Sequence, residues 1–191
     1  QNVFSKISTK YNLMNDLMSL GTHRLWKKRL IEMINIQDNQ TIIDVGAGTG
    51  DIGLKISSKN NNVKVFLGDL NLSMIKSGMK NSYLNNKNVK WINMNSEELP
   101  FSNNIFDKYI ISFCLRNVTD INKTLKESLR VLKEGGETIA VSGTGGVKFD
   151  NQKNSSKFAN AIKKSCDFYT LARSPDARYT KDGKTLDLNS Y

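Results

Sequence analysis

Apolar residues recur along this chain in two alternating rhythms. Thr41-Ile42-Ile43 is a β-branched run that reads as a buried strand, and Val63-Lys64-Val65-Phe66-Leu67 as a second. Val89–Met94 alternates as a third strand, Phe106–Phe113 forms a fourth, and Thr138-Ile139-Ala140-Val141 a fifth. Helical patterns fill the gaps. Ile52–Ile56 opens one helix, and Ser73–Ser82 is another, with Met74, Ile75 and Met79 facing inward. Asn122–Leu132 carries Leu125, Leu129 and Leu132 on one side; Gly135-Gly136 is expected to end it, with Lys133 at its negative dipole end. Strand and helix alternating at this spacing predict an α/β fold, a doubly wound and mostly parallel sheet.

Before the first strand, Phe4, Ile7, Tyr11, Met14, Leu17 and Met18 fall at helical spacing, and Gly21 interrupts them. A basic amphipathic helix follows at about Arg24–Ile34. Leu25, Trp26, Leu30, Ile31 and Ile34 form its apolar side, and Lys27, Lys28 and Arg29 its basic one. These segments precede the core, so they are placed to cover it. The expected organisation is an N-terminal helical lid over 1–40, a ligand-binding α/β core over 41–141, and an atypical C-terminal region over 142–191. Past Ser142 the pattern weakens: Gly143–Gly146 is a flexible break, 151–156 is polar, 158–170 fits one helix, and 175–191 is polar and turn-rich.

The densest chemistry lies between the first strand and its helix, in Asp44-Val45-Gly46-Ala47-Gly48-Thr49-Gly50-Asp51. Alternate glycines let the backbone turn tightly and approach a ligand. Asp69 closes the second strand, where a carboxylate accepts hydrogen bonds from a ribose diol. The spacing is G-x-G-x-G rather than the G-x-G-x-x-G of a dinucleotide site. Asp44 and Asp51 flank the glycines and would repel a pyrophosphate, whereas they suit a ligand with a cationic end. S-adenosyl-L-methionine, with its ammonium, sulfonium and ribose diol, is the expected cofactor. A tight βα turn that binds nothing is the bland alternative.

Composition narrows the partners. Of 191 residues, 28 are Lys or Arg and 18 are Asp or Glu, for a net charge of +10. The excess is spread, with 19 basic against 13 acidic residues over 1–140 and 9 against 5 over 141–191. It favours anionic surroundings, a lipid headgroup surface or RNA, with simple solubility as the plain alternative. Cys114 and Cys166 have no CxxC spacing and His23 is the single histidine, so no metal site is expected. No apolar run is long enough for a transmembrane helix. The chain begins at Gln1, from which a processed or trimmed product is expected.

Several narrower segments point to a family. They are Val3-Phe4-Ser5, Lys10–Gly21, His23–Lys27, Gly48–Asp51, Asp69-Leu70-Asn71, Glu98–Phe101 and Ile111–Asp120. On these, residues 3 to about 141 closely resemble the ubiquinone/menaquinone biosynthesis C-methyltransferases, of the Rossmann-like class I methyltransferase fold. The last fifty residues show no such resemblance: Val141–Gly146 stands where that family has a Glu-Phe-Ser-type segment.

The resemblance implies S-adenosyl-L-methionine-dependent methylation of a ring carbon of a polyprenylated benzoquinol or naphthoquinol. The sulfonium supplies the leaving group; the protein brings methyl and carbon into line and takes a proton. Gly46, Gly48 and Gly50 make room for the cofactor, and Asp69 holds its ribose. Asn95 and Ser96 lie where the adenine belongs, Thr49 and Ser112 match cofactor-contacting positions, and Asp44 orients the ammonium. Arg116 and Asn117 are the catalytic candidates at the end of the fourth strand. Tyr11, which shares a helix face with Asn15, is a third.

A polyprenyl tail implies peripheral contact with an anionic membrane, for which the Lys27-Lys28-Arg29 helix is suited, and possible company with other quinone-biosynthesis enzymes. The expected location is the matrix face of the mitochondrial inner membrane, with a bacterial cytoplasmic membrane as the alternative. A competing reading is a methyltransferase-derived structural subunit of a larger mitochondrial or RNA-containing assembly. RNA methylation is disfavoured: no Asn-Pro-Pro-Tyr-type loop follows the fourth strand, and no second cysteine stands near Cys114 in the sequence, though ribose methylation would need neither.

Overall fold

The computed structural model describes residues 27–28, 30–32, 34–81 and 87–142, with the backbone of strands at 167–172, 178–181 and 184–187. The chain forms two compact units, Gln1–Met94 and Asn95–Tyr191.

In the first unit, β1 (Thr41–Val45), β2 (Lys64–Asp69) and β3 (Val89–Asn93) pair in parallel, with β2 between the other two. The register sets Val45 beside Gly68 and Asp69 beside Asn93, so the chemistry-bearing residues sit together at the strands' carboxyl ends. Ile42, Ile43, Val65 and Leu67 are fully buried, which is why β1 and β2 read as nearly continuous apolar runs. Helix α1 (Asp51–Lys59) starts directly after the glycines and buries Ile52, Gly53, Ile56 and Ser57.

Helix α2 (Leu72–Asn81) begins one residue earlier than its apolar periodicity suggests. Asn71 explains the start: its Oδ1 accepts from the Ser73 amide at 3.0 Å and the Ser73 hydroxyl at 2.7 Å. Met74, Ile75, Ser77 and Gly78 face inward, but Met79 is turned out and 53% exposed, contrary to the expectation for it. Gly78 is the reason. A Cβ there would stand 2.4 Å from the Trp91 ring and 2.7 Å from the Thr49 carbonyl oxygen. The helix is pressed onto the glycine loop along its Gly78 side, and Met79 is carried away from it. Helical residues 27–28 and 30–32 precede the sheet, and Leu30, Ile31 and Ile34 are buried.

In the second unit, β4 (Phe106–Ser112) buries Phe106, Tyr109, Ile110 and Ile111. A one-turn 3₁₀ helix (Leu115–Asn117) and α3 (Ile121–Val131) follow. Asp120 caps α3 by accepting from the Lys123 amide at 3.0 Å. The buried stripe of α3 is Thr124, Ser128 and Val131, with Leu125 and Leu129 half-buried on its flank. Small hydroxyl side chains allow the close approach, and they are satisfied: Ser128 Oγ donates to the Leu125 carbonyl at 2.8 Å and receives Thr138 Oγ1 at 3.1 Å.

Gly135-Gly136 does not end α3. The helix stops at Val131, and β5 runs from Leu132 to Ser142 through both glycines. Leu132 pairs with Phe106 and Glu137 with Lys108, so four intervening residues on one strand stand opposite one on the other. The glycines absorb that bulge, Gly135 at φ 76°. Lys133 accordingly meets Asp107 at 2.9 Å instead of a helix terminus.

Beyond β5, strand β6 (Asp167–Ala172) pairs antiparallel with it, and β7 (Arg178–Lys181) and β8 (Lys184–Asp187) continue the meander. The helix expected over 158–170 is therefore strand from Asp167 onward, and the turn-rich tail carries two short strands. Phe168, Tyr169 and Thr170 are aromatic or β-branched types that suit a pleated surface, which outweighed a weak helical period.

Candidate functional site

The first unit assembles a loop held from two sides. Gly46, Gly48 and Gly50 have φ of 68°, 59° and 80°, all in the left-handed region that side chains disfavour. The alternating glycines thus answer a backbone need as well as leaving room. The Ala47 amide donates to the Gly68 carbonyl at 2.9 Å, and the Gly48 amide to Asp69 Oδ2 at 2.8 Å. Asp69 Oδ1 accepts from the Asn71 amide at 2.7 Å. One carboxylate therefore ties the glycine loop and the start of α2 to the end of β2. Each carboxylate oxygen has two acceptor positions, so the half-exposed Asp69 keeps capacity for a diol.

Asp44 is buried beneath the loop, and its Oδ2 accepts from the Gly53 amide at 3.1 Å. Burial pushes its carboxyl up to about 7, with the charges of Asp69 and Asp51 adding to the rise; the Gly53 hydrogen bond and Lys27 oppose it. A cation arriving beside Asp44 would favour its ionised form, the electrostatics expected of an ammonium-binding carboxylate.

Asp51 behaves differently from its sequence reading. Its carboxylate pairs with Lys27 Nζ at 2.6 Å, so its charge is answered within the protein rather than held out to a ligand. Lys27 is buried in making this contact. It is thereby removed from the basic surface proposed for the Lys27-Lys28-Arg29 stretch, in which Lys28 is exposed and Arg29 lies outside the described residues. Sequence inspection missed the role of Lys27, because an isolated lysine on a basic helix carries no mark of a carboxylate 24 residues away.

The second unit places its candidates on two features. Asn95 and Ser96 open the loop that runs to Phe101. Asn95 is exposed and its Oδ1 accepts from the Glu97 amide at 3.0 Å; Ser96 Oγ lies 3.5 Å from Thr124 Oγ1. Glu97 Oε1 accepts from the Thr119 and Asp120 amides at 2.7 and 3.0 Å. Glu127 accepts from the Leu99 amide at 2.8 Å, and Arg130 grips Glu127 through Nε and a terminal nitrogen while donating to the Leu99 and Phe101 carbonyls. Loop 95–101 is thus fixed to α3 by charged groups at both ends.

At the end of β4, Ser112 Oγ is buried without a hydrogen-bond partner among the described residues. A buried hydroxyl in that condition is a vacant donor and acceptor, which fits a polar ligand group. Phe113, next to it, has φ 57°, a conformation uncommon for a bulky residue and found where function holds the backbone. Its amide is fixed to the Val141 carbonyl at 2.8 Å. The sequence marked Phe113 only as the end of the fourth strand and a member of the Ile111–Asp120 family segment; its strain is a property of backbone geometry. Arg116 and Asn117 follow in the 3₁₀ turn, both exposed, with Arg116 in no ion pair among the described residues. Tyr11, Asn15 and His23 lie outside the described residues.

The structure therefore gathers Asp44, Gly46, Gly48, Thr49, Gly50 and Asp69 in the first unit. Ser112, Arg116 and Asn117 follow one strand end in the second unit, and Asn95 and Ser96 lie on its braced loop. Residues 1–159 match the model of the ubiE/COQ5 methyltransferase family.

The chain belongs to this family.

The match runs past residue 141, where the resemblance in the sequence motifs faded. Over 147 residues the chain is 49% identical to the ubiquinone/menaquinone biosynthesis C-methyltransferase UbiE of Rickettsia prowazekii, covering 73% of this chain and 58% of that protein. The protein of the same name from Rickettsia typhi is 48% identical over the same shares. The chain thus spans 58% of the length of these relatives. Among solved structures, a putative S-adenosyl-L-methionine-dependent methyltransferase from Methanococcus maripaludis superimposes with a TM-score of 0.63 at 18% identity, covering 83% of this chain and 68% of that one. A SAM-dependent methyltransferase from Aquifex aeolicus gives 0.57 at 21% identity, over 65% and 67%. These likenesses show the fold, the Rossmann-like α/β fold of methyltransferases that use S-adenosyl-L-methionine. The loop, with its buried and half-exposed carboxylates, fits that cofactor.

Proposed function

We propose that this ubiE/COQ5 family chain methylates a ring carbon of a polyprenylated benzoquinol or naphthoquinol. The observation that carries the reading is the G-x-G-x-G loop stapled to Asp69, in a chain 49% identical to a relative named for quinone biosynthesis. The cofactor, when bound, supplies an electrophilic methyl on a sulfonium. The protein's share is placement. Gly46, Gly48 and Gly50 keep side chains out of the cofactor's path, Asp69 accepts from the ribose hydroxyls, and Asp44 meets the ammonium with an acidity that its burial has tuned. Thr49 belongs to the same loop.

In the second unit, Ser112 offers an unsatisfied hydroxyl. Arg116, a fixed cation, is suited to stabilise a quinolate, whose ring carbon is nucleophilic once a hydroxyl proton has left. By the family resemblance Asn117 accompanies it, Asn95 and Ser96 are assigned to the adenine, and Tyr11 to the substrate ring. A substrate with an isoprenoid tail places the protein on an anionic membrane, at the matrix face of the mitochondrial inner membrane or, alternatively, on a bacterial cytoplasmic membrane, beside other enzymes of the pathway. Cell fractionation with antibody detection tests the location.

The activity is tested with methyl-labelled S-adenosyl-L-methionine and a short-chain demethylated quinol. The expected result is one labelled methyl on a ring carbon, strongly reduced in Asp69→Ala at sub-saturating cofactor and in Arg116→Ala. Cofactor binding with no transfer to any quinol would sink the substrate assignment. Absence of cofactor binding by the folded chain would favour the structural-subunit reading instead.

A further inference from the structure

Glu97 spans the two features on which the second unit places its candidates. It lies in loop 95–101, directly after Asn95 and Ser96. Its Oε1 accepts from the Thr119 amide at 2.7 Å and from the Asp120 amide at 3.0 Å, 22 and 23 residues away. Those amides stand between the 3₁₀ turn that bears Arg116 and Asn117 and the first residue of α3.

Helix α3 explains the call on a distant carboxylate. Asp120 is its N-cap, and the Asp120 side chain serves the Lys123 amide. In a capping box, a glutamate three residues after the cap accepts from the cap's own amide. Here that position is Lys123, whose ammonium only donates. Glu97 supplies the acceptor from another loop, and it takes the Thr119 amide as well. The segment it closes is short. At its start the Phe113 amide donates to the Val141 carbonyl at 2.8 Å, and within it the Asn117 amide donates to the Cys114 carbonyl at 2.7 Å. Glu97 fixes its far end. Loop 95–101 has further holds: Asn95 accepts from the Glu97 and Glu98 amides, and Glu127 and Arg130 grip Leu99 and Phe101. Removing the Glu97 carboxylate therefore spares the loop and loosens the turn.

We propose that Glu97 is a positioning residue for the methyl transfer: by clamping the Thr119 and Asp120 amides it fixes the exposed Arg116–Asn117 turn against loop 95–101, so that the guanidinium is in place before the quinolate forms. The inference rests on the proposed function, in which Arg116 stabilises that quinolate. Holding a reacting group in position lowers the barrier without adding a contact to the cofactor. The quantity at stake is kcat rather than cofactor affinity.

The test is steady-state methylation of a short-chain demethylated quinol, with urea stability and amide exchange measured on the same variants. Glu97→Ala should lower kcat by about tenfold or more while the KM for S-adenosyl-L-methionine stays within about threefold. Glu97→Gln, whose amide oxygen can accept from the same two amides, should return kcat to within about threefold of wild type. Glu97→Asp, one methylene short, should resemble Glu97→Ala. Glu97→Ala/Lys123→Glu separates positioning from helix capping. It rebuilds a local capping box, so stability and protection of the Asp120 amide should return while kcat stays low.

Wild-type kcat in Glu97→Ala overturns the proposal. Recovery of kcat by Lys123→Glu overturns it too, since Glu97 would then serve only as a helix cap. A wild type that binds the cofactor but methylates no quinol removes the proposed function instead. Exchange of the Arg116 and Asn117 amides then decides the clamp: a faster rate in Glu97→Ala upholds it, and an unchanged rate overturns it.

Discussion

Replacing Gly78 by alanine sets local propensity against tertiary packing. In an isolated helix the change is favourable by about 0.8–1 kcal/mol, because glycine surrenders more backbone freedom on folding than alanine does. In this protein the added Cβ would stand 2.4 Å from Trp91 Cη2, 2.9 Å from its Cζ3 and 2.7 Å from the Thr49 carbonyl oxygen. Overpacking of this kind costs about 1–3 kcal/mol. The upper end applies, because an indole ring and a backbone atom must move together and neither can rotate aside. The net expectation is a loss of about 2 kcal/mol, read as a lower urea midpoint with an unchanged slope. Thr49 is part of the glycine loop, so the affinity for S-adenosyl-L-methionine should fall as well. Adding Trp91→Leu should recover part of the stability and little of the affinity, since the carbonyl contact remains. A Gly78→Ala variant as stable as wild type, or more so, would refute the packing argument.

Asp69→Asn should weaken cofactor binding by about 1.5–3 kcal/mol in calorimetry, close to the effect of Asp69→Ala, because the amide cannot accept from both the Gly48 and Asn71 amides and also serve a diol. Asp44, whose carboxyl is raised to about 7 from 3.8, binds its proton more tightly in the folded chain than in the unfolded one, so its contribution to stability is lost as pH climbs from about 4 through about 7. Asp44→Asn keeps an acceptor for the Gly53 amide. In denaturation series at several pH values it should flatten that slope and be the more stable protein at pH 8; parallel curves would count against the assignment. Arg130→Ala should cost about 1.5–3 kcal/mol through its charge-assisted hydrogen bonds to Glu127 and the Leu99 and Phe101 carbonyls, and Arg130→Lys should recover less than half, since an ammonium cannot reproduce the planar fork.

The parallel strands β1 to β5, the order of the helices between them and the glycine loop with its Asp69 were legible from the sequence. Each is encoded locally: β-branched runs fit a pleated surface, apolar period marks a buried helical face, and only glycine accepts three left-handed positions in five residues. The chain's own residues also fixed where α2 and α3 start, through Asn71 and Asp120 side chains that reach amides two or three positions on.

Tertiary structure decided the rest. Whether Gly135-Gly136 would stop a helix or relax a strand depended on Phe106 and Leu132 pairing across the sheet, a contact between residues far apart in sequence. Lys27 became a buried partner of Asp51 instead of a surface cation, and Met79 an exposed residue, because a helix's position is set by what its neighbours leave room for. The left-handed Phe113 and the Ser112 hydroxyl, buried with no hydrogen-bond partner among the described residues, are invisible in composition and period. Residue types state what chemistry is available; only the packed chain fixes which charges neutralise one another and which remain for a ligand.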